Sequence, residues 1–169
     1  MARPRTDNLN NLLAEYGFPV SIAKERSVKL VFHNTPYFKF LDDYRQGQIK
    51  RIETYQREQG SDIFRGCQHI ITFLHDGPSR AVFIGIYRID AHRTLAKPPK
   101  EFIEFSPNQD WRPGHHWYDM TLLDNMQELS GRLVVDWGRG RTWHQWLHAD
   151  RPKKIIEIPK KDMGSRTRS

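Results

Sequence analysis

The chain has one cysteine, Cys67. An internal disulfide is therefore impossible and a cysteine zinc cluster is excluded. Cys67 reads most simply as a small buried hydrophobe. Long apolar runs are missing as well. No stretch approaches the roughly 20 residues that cross a bilayer, and mean hydropathy is low, at -0.76. The opening "MARPRTDNLNNLL" holds no apolar run of signal-peptide length. A reducing, cytoplasmic setting without a membrane partner is expected.

The middle of the chain also lacks net charge. The formal charge of +7 belongs to the ends. Arg3 and Arg5 lie before residue 7, and residues 151–169 hold seven Lys or Arg against Glu157 and Asp162. Between residues 7 and 150, 18 basic and 18 acidic residues cancel. A basic tail such as "RPKKIIEIPKKDMGSRTRS" either attracts phosphate backbones or is a solvated terminus.

Complete catalytic motifs are absent too. Gly85-Ile86-Tyr87 is the first half of a GIY-YIG nuclease signature, but "HRTLAKPPK" stands where Tyr-Ile-Gly would follow. No Asp or Glu has a lysine two residues on, as a PD-(D/E)xK nuclease requires to hold metal and water. His116, Asn125 and His144 lack the cysteine framework and tight spacing of an HNH site. His144 and His148 are four apart and would share a metal only on one helix face, and Gln145 stands where the metalloprotease motif has glutamate. "WGRGR" lacks the Lys-Ser/Thr of a P-loop. No catalytic residue, metal or cofactor is expected.

Aromatics are plentiful, at 12% of the chain, and a length of 169 residues suffices for one domain with its own core. Asp7 is placed to cap a short helix through "NLNNLLAEYGF". "SVKLVFHN" alternates as a strand does. Thr35 and Pro36 open the clearest helical pattern, in which Leu41, Tyr44, Ile49, Ile52 and Tyr55 recur up to Gly60. From residue 67 the period changes. "CQHIITFLH" and "RAVFIGIYRIDAH" read as strands joined by the turn "DGPS". "EFIEF", "HWYDMTLL", "RLVVDW" and "KKIIEI" add further strands, with a helical turn at "DNMQELS" stopped by Gly131. About six or seven closely spaced strands after early helices predict an α+β fold. The expected architecture is a curled antiparallel barrel over 28–159, with helices mainly in the N-terminal third. A helical segment precedes it over 1–27, and a basic tail follows over 160–169.

The densest chemistry is "VVDWGRGRTWHQW", residues 134–146, with three of the five tryptophans. Strand parity puts Leu133, Val135 and Trp137 on one face and Val134 and Asp136 on the other. Gly138 and Gly140 permit a sharp change of direction. Trp143 and Trp146 neighbour each other on a helical turn and oppose each other on a strand. Between Arg132 and Lys154 there are six basic residues and two acids. Cations interleaved with rings are the composition of a nucleic-acid groove. The candidate base-binding residues are Trp137 and Trp143 as stacking rings, with Asp136 and Gln145 reading a base edge. Tyr55, Ser61 and Phe64 form a second wall. Arg139, Arg141, Lys153 and Lys154 are the candidate phosphate contacts. The competing reading is that the rings are core and the tail is an ordinary terminus.

The stretches "FLDDYRQGQ", "FRGCQHIITFL", "AVFIGIYRI" and "GRLVVDWGRGRTWHQW…KKIIEI" resemble the amino-terminal region of bacterial GIY-YIG nuclease family proteins, ahead of their nuclease domain. That region is similar to PUA-like barrels, the superfamily of EVE, YTH and SRA domains. The resemblance spans roughly residues 28 to 158, and the nuclease half has no counterpart in this sequence. It implies a nucleic-acid-binding module, DNA in preference to RNA, that flips a modified base into an aromatic pocket. It further implies service as the specificity domain of a restriction or defence nuclease, supplied as another domain or subunit. An RNA-binding barrel and a protein-interaction domain are the other expectations left open.

Overall fold

The computed structural model describes residues 4–17, 27–33, 58–59, 61–100, 103, 113–123, 129–136, 138, 144–149 and 151–158. Their elements are β1 (Arg5–Asp7), α1 (Leu9–Glu15), β2 (Val28–His33), β3 (Glu58–Gln59), β4 (His69–His75), β5 (Arg80–Leu95), β6 (His115–Leu123), β7 (Leu133–Asp136), β8 (His144–Trp146) and β9 (Lys153–Glu157). A 3-10 helix, Leu147–Ala149, follows β8.

One sheet holds all nine strands, in the order β1-β9-β7-β5-β4-β2-β8, with β6 paired to β5 and β3 to β6. The protein is therefore mainly β, with its described α-helix near the N-terminus. One expectation is corrected. The sheet is mixed, because β2 and β4 run parallel. A parallel neighbour needs a long connection, and residues 34–68 provide one. Among the described residues no ladder joins β8 back to β1, so the described strands form an open sheet.

Shorter elements depart from their sequence patterns as well. Asp7 belongs to β1, and the helix N-cap is Asn8. Asp7 Oδ1 instead accepts from the Asn8 amide at 2.7 Å and from Asn11 Nδ2 at 3.0 Å. Glu58 and Gln59, expected at the end of a helix, pair with Trp117 and His116. Most of that expected helix, Thr35 to Tyr55 included, lies outside the described residues. Ile103, in the expected strand "EFIEF", is helical, and its amide bonds the Pro99 carbonyl four residues back at 3.4 Å. A Pro-Pro pair just before it suits a helix start better than a strand.

Alternation distributes the core over both faces of the sheet. Val28, Leu30 and Phe32 of β2, Ile71 and Phe73 of β4, Ala81 and Phe83 of β5, Leu133 and Val135 of β7 and Ile155 of β9 form the inner cluster. Leu9, Leu12 and Leu13 of α1 cover it, with Leu129 and Leu147. Seven residues are too few for a stable isolated helix. Burial of three leucines, at about 1.5–3 kcal/mol each as an upper bound, holds α1 in place. Residues 5–16 thus share the sheet and core of the later strands rather than standing apart as a segment. On the outer face Val31, Ile70, Tyr87, Tyr118 and Met120 pack with Phe64 from the segment after β3. Leu74, Val82, Ile84 and Val134 form a third cluster. Every residue of β4 is buried, as befits a strand covered on both faces.

β5 is the organising strand. In its first half it pairs with β7 on one edge and β4 on the other, and its second half pairs with β6. Two register shifts interrupt it. Thr72 pairs with Gly85 but Phe73 with Phe83, so Ile84 is an extra residue. Ile89 pairs with Met120 but Ala91 with Asp119, so Asp90 is extra. Each bulge reverses the in-out alternation beyond it.

Candidate functional site

The expected site divides into residues the structure describes and residues it does not. Trp137, Arg139, Arg141, Trp143 and Tyr55 lie outside the described residues. The parity argument holds up to that boundary: Leu133 and Val135 are in the inner cluster and Val134 is in the third cluster, on the opposite face.

Asp136 closes a turn. Its Oδ1 accepts from Ser79 Oγ at 3.1 Å and from the Gly138 amide at 2.9 Å. Gly138 has φ +78°, the left-handed region that glycine enters without strain. A bend is present at Gly138, held by the Asp136 carboxylate, and Gly140 lies outside the described residues.

Gln145 lies in β8, opposite Leu30. Directly opposed residues share a face, so Gln145 faces the inner side. Trp146 and His144 sit opposite Lys29 and Val31, on the outer side. Asp136, two residues past Val134, is on the outer side at β7, which β5, β4 and β2 separate from β8. The structure therefore does not bring Asp136 and Gln145 together as joint readers of one base edge.

The second expected wall is also revised. Phe64 is 2% exposed, its ring edge-on to Tyr118 at 5.0 Å. It is a core residue and offers no open face. Ser61 is exposed, and its carbonyl accepts from the Ile63 amide at 2.8 Å. Among the phosphate candidates, Lys154 is exposed. Lys153 is buried at the β9 edge beside β1, where its Nζ donates to the Arg151 carbonyl at 3.0 Å. Lysine's long stem made Lys153 look like surface, but strand alternation turned it inward.

The most informative group at the β8 edge was not anticipated. Lys29 is buried in β2, its Nζ donating to the Ile63 carbonyl and lying 4.5 Å from the centroid of the half-buried Trp146 ring. Through this cation–π contact and the hydrogen bond to Ile63, Lys29 links the edge strand β8 to the segment after β3. It also colours its neighbours. Burial, then the Lys29 charge, lowers the His144 pKa from its ordinary value. Burial pushes the Cys67 thiol up to about 11, and Lys29 partly opposes that. Lys29 sits mid-strand in a period-2 pattern, where a lysine ordinarily reads as solvated, so sequence offered no signal for it.

His144 is in a strand and His148 in the 3-10 helix, so they do not share the single helix face considered from their spacing. Gly85, Ile86 and Tyr87 lie mid-β5, where Ile86 and Tyr87 are buried in the two clusters.

A second group converges on the outer face. The Tyr118 hydroxyl donates to Asp62 Oδ1 at 2.5 Å. The His92 ring stacks on Tyr118, at 4.7 Å and 14°, and meets His116 edge to edge, with centroids 5.0 Å apart and planes 20° from parallel. His92 Nε2 and His116 Nδ1 are 2.8 Å apart. Burial, then the Asp62 hydrogen bond, raises the Tyr118 pKa.

Among the described residues no helix is long and apolar enough to cross a membrane. No protein-family model, curated protein or solved structure matches the chain.

Proposed function

We propose that this chain is a nucleic-acid-binding module that reads a modified base in DNA, with residues 136–146 as its contact segment. The observation that carries the reading is the anchoring of that segment. It leaves a turn fixed by Asp136 and Gly138, and it arrives at the edge strand β8 beside a half-buried Trp146 under the Lys29 cation. Between these two fixed ends the sequence places Trp137, Arg139, Arg141 and Trp143. A span held at both ends loses less entropy on binding than a free one. Its arginines suit phosphates, and its rings suit stacking, worth roughly 1–3 kcal/mol per base. Flipping a base out of a duplex costs a few kcal/mol, which such stacking offsets. Asp136 is a positioning residue in this scheme, since its carboxylate holds the turn. The suggested place in a restriction or defence nuclease rests on the sequence resemblance to the region preceding GIY-YIG domains, as does the PUA-like barrel.

The test is fluorescence polarisation at near-physiological salt, with duplexes carrying cytosine, 5-methylcytosine, 5-hydroxymethylcytosine or 6-methyladenine, and a matched RNA. The expected result is one modified duplex bound at least tenfold tighter, about 1.4 kcal/mol. Trp143→Ala removes that preference, Arg139→Gln with Arg141→Gln weakens all duplexes alike, and a deletion after Pro159 leaves the preference intact. Equal binding of every duplex, abolished by the tail deletion, overturns the modified-base reading. Tighter binding of RNA than of any duplex overturns the assignment to DNA.

A further inference from the structure

Asp62, His92 and His116 come from three separate parts of the chain: the segment after β3, the outer half of β5 and the start of β6. Each offers one ligand atom, and these atoms all lie within 4.8 Å of one another. The convergence has a structural cause. Ile89 and Met120 face the outer cluster together. Simple alternation would next bring residues 91 and 93 to that face. The extra residue Asp90 reverses the phase, so His92 pairs with Tyr118 and shares its face. His116, two residues before Tyr118, lies on the same face and diagonal to His92. Arg88 Nε and Thr121 Oγ1 hold the Asp90 carboxylate at 2.7 and 2.6 Å, which pins the bulge. Bulges commonly re-aim a side chain in this way.

We propose that this group is a divalent transition-metal site of the zinc class, formed by His92 Nε2, His116 Nδ1 and an Asp62 carboxylate oxygen. Two imidazoles and a carboxylate suit zinc and its neighbours rather than magnesium or calcium, which prefer all-oxygen shells. The two ring nitrogens are 2.8 Å apart, a hydrogen-bond contact bridged by one proton. Tetrahedral zinc, with Zn–N of about 2.0–2.1 Å, needs its ligand nitrogens about 3.3 Å apart with both lone pairs turned onto the ion, so zinc takes the place of that proton as the rings part by about half an ångström and swing toward it. Tyr118 is placed to orient the ligands, as partners of metal-binding groups do. Its hydroxyl holds one oxygen of Asp62, and its ring stacks on His92. Three protein ligands leave one position for water, and His92 is exposed, so the ion is reachable from solvent. Bound there, the ion ties the segment 61–67 to the β5–β6 hairpin. The site is independent of the base-reading proposal, since none of its ligands lies in residues 136–146.

The experiment titrates the untagged full chain, stripped with a chelator, with zinc chloride by calorimetry, and records the cobalt(II) visible spectrum. The expected result is saturable binding of one zinc per chain, tetrahedral cobalt bands, and a melting temperature that rises with free zinc. His92→Ala, His116→Ala and Asp62→Asn each lose this binding, His144→Ala keeps it, and magnesium does not compete. Ring-nitrogen NMR of the unsubstituted chain decides independently of any variant's stability: His92 and His116 shift together on adding zinc. Absence of one-to-one binding, unmoved His92 and His116 rings, or unchanged affinity in His92→Ala and His116→Ala overturns the proposal.

Discussion

At the scale of single residues, Lys29 does most to set the chemistry of the β8 edge. A buried ammonium is tolerated only with partners, and Lys29 has two: the Ile63 carbonyl and the Trp146 ring. Its charge reaches His144, whose lowered pKa arises first from burial and then from Lys29. The folded protein thus holds a proton on His144 less tightly than the unfolded chain, where the ordinary value is 6.5. As pH falls through that value the unfolded chain takes the proton first, and stability declines. Lys29→Met, similar in length and uncharged, is expected to move the His144 pKa part of the way back up. It is also expected to raise the Cys67 thiol further above its value of about 11, because Lys29 opposes the effect of burial there. A histidine NMR titration and a thiol-reactivity profile against pH read both shifts in one variant. An unmoved His144 would show that the ammonium does not sense that ring.

At the scale of elements, the two bulges of β5 decide which residues meet. Asp90 accepts from Arg88 within β5 and from Thr121 across on β6. Asp90→Ala removes both bonds at a partly exposed site, so the expected loss is about 0.5–1.5 kcal/mol. Amide exchange should accelerate at residues 91–95 and 115–119 and stay slow at residues 70–74 and 81–86. Uniform acceleration of both sets would mean that the hairpin does not open separately from the core. The same strands show what the sequence made readable. Short stretches dense in apolar residues, such as "CQHIITFLH" and "RAVFIGIYRI", identified β4 and β5 to within a few residues, because burial on both faces leaves a dense signal. Strands of two or three residues, β1, β3 and β8, carry too few side chains to show a period. A bulge is one extra residue with no composition of its own, so neither the phase reversal at Asp90 nor the meeting of Asp62, His92 and His116 was legible. The parity of Leu133, Val134 and Val135 was legible, since an uninterrupted strand needs only counting. Asp136 was recognisable as a hydrogen-bonding residue. Its role as a turn partner was open from the residues alone, but its bond to Ser79 was not legible, because Ser79 lies 57 positions away.

At the scale of the whole molecule, the N-terminal residues are tied to the last strand. β1 pairs with β9 from Arg5 opposite Ile155 to Asp7 opposite Lys153. Tyr16, just past α1, donates its hydroxyl to Glu157 Oε2 at 2.5 Å. That hydrogen bond and burial push the Tyr16 pKa up from 10.0 to about 12. The folded protein therefore keeps the phenolic proton after the unfolded chain has begun to lose it. The stabilisation is complete below pH 10 and disappears as pH rises through about 12. Tyr16→Phe is expected to lower stability at neutral pH by about 1–2 kcal/mol, the range of about 1.5–3 kcal/mol for a hydrogen bond to a charged acceptor reduced for partial exposure. The difference between the two proteins should then shrink between pH 10 and 12, because the parent loses there what the variant never had. Urea unfolding across that range isolates Tyr16, since Tyr118 titrates in both proteins and cancels in the comparison. A difference that stays constant with pH would show that Tyr16 contributes by packing alone. In that case the N-terminal residues are held to β9 by the β1 ladder and the α1 leucines, without the carboxylate of Glu157.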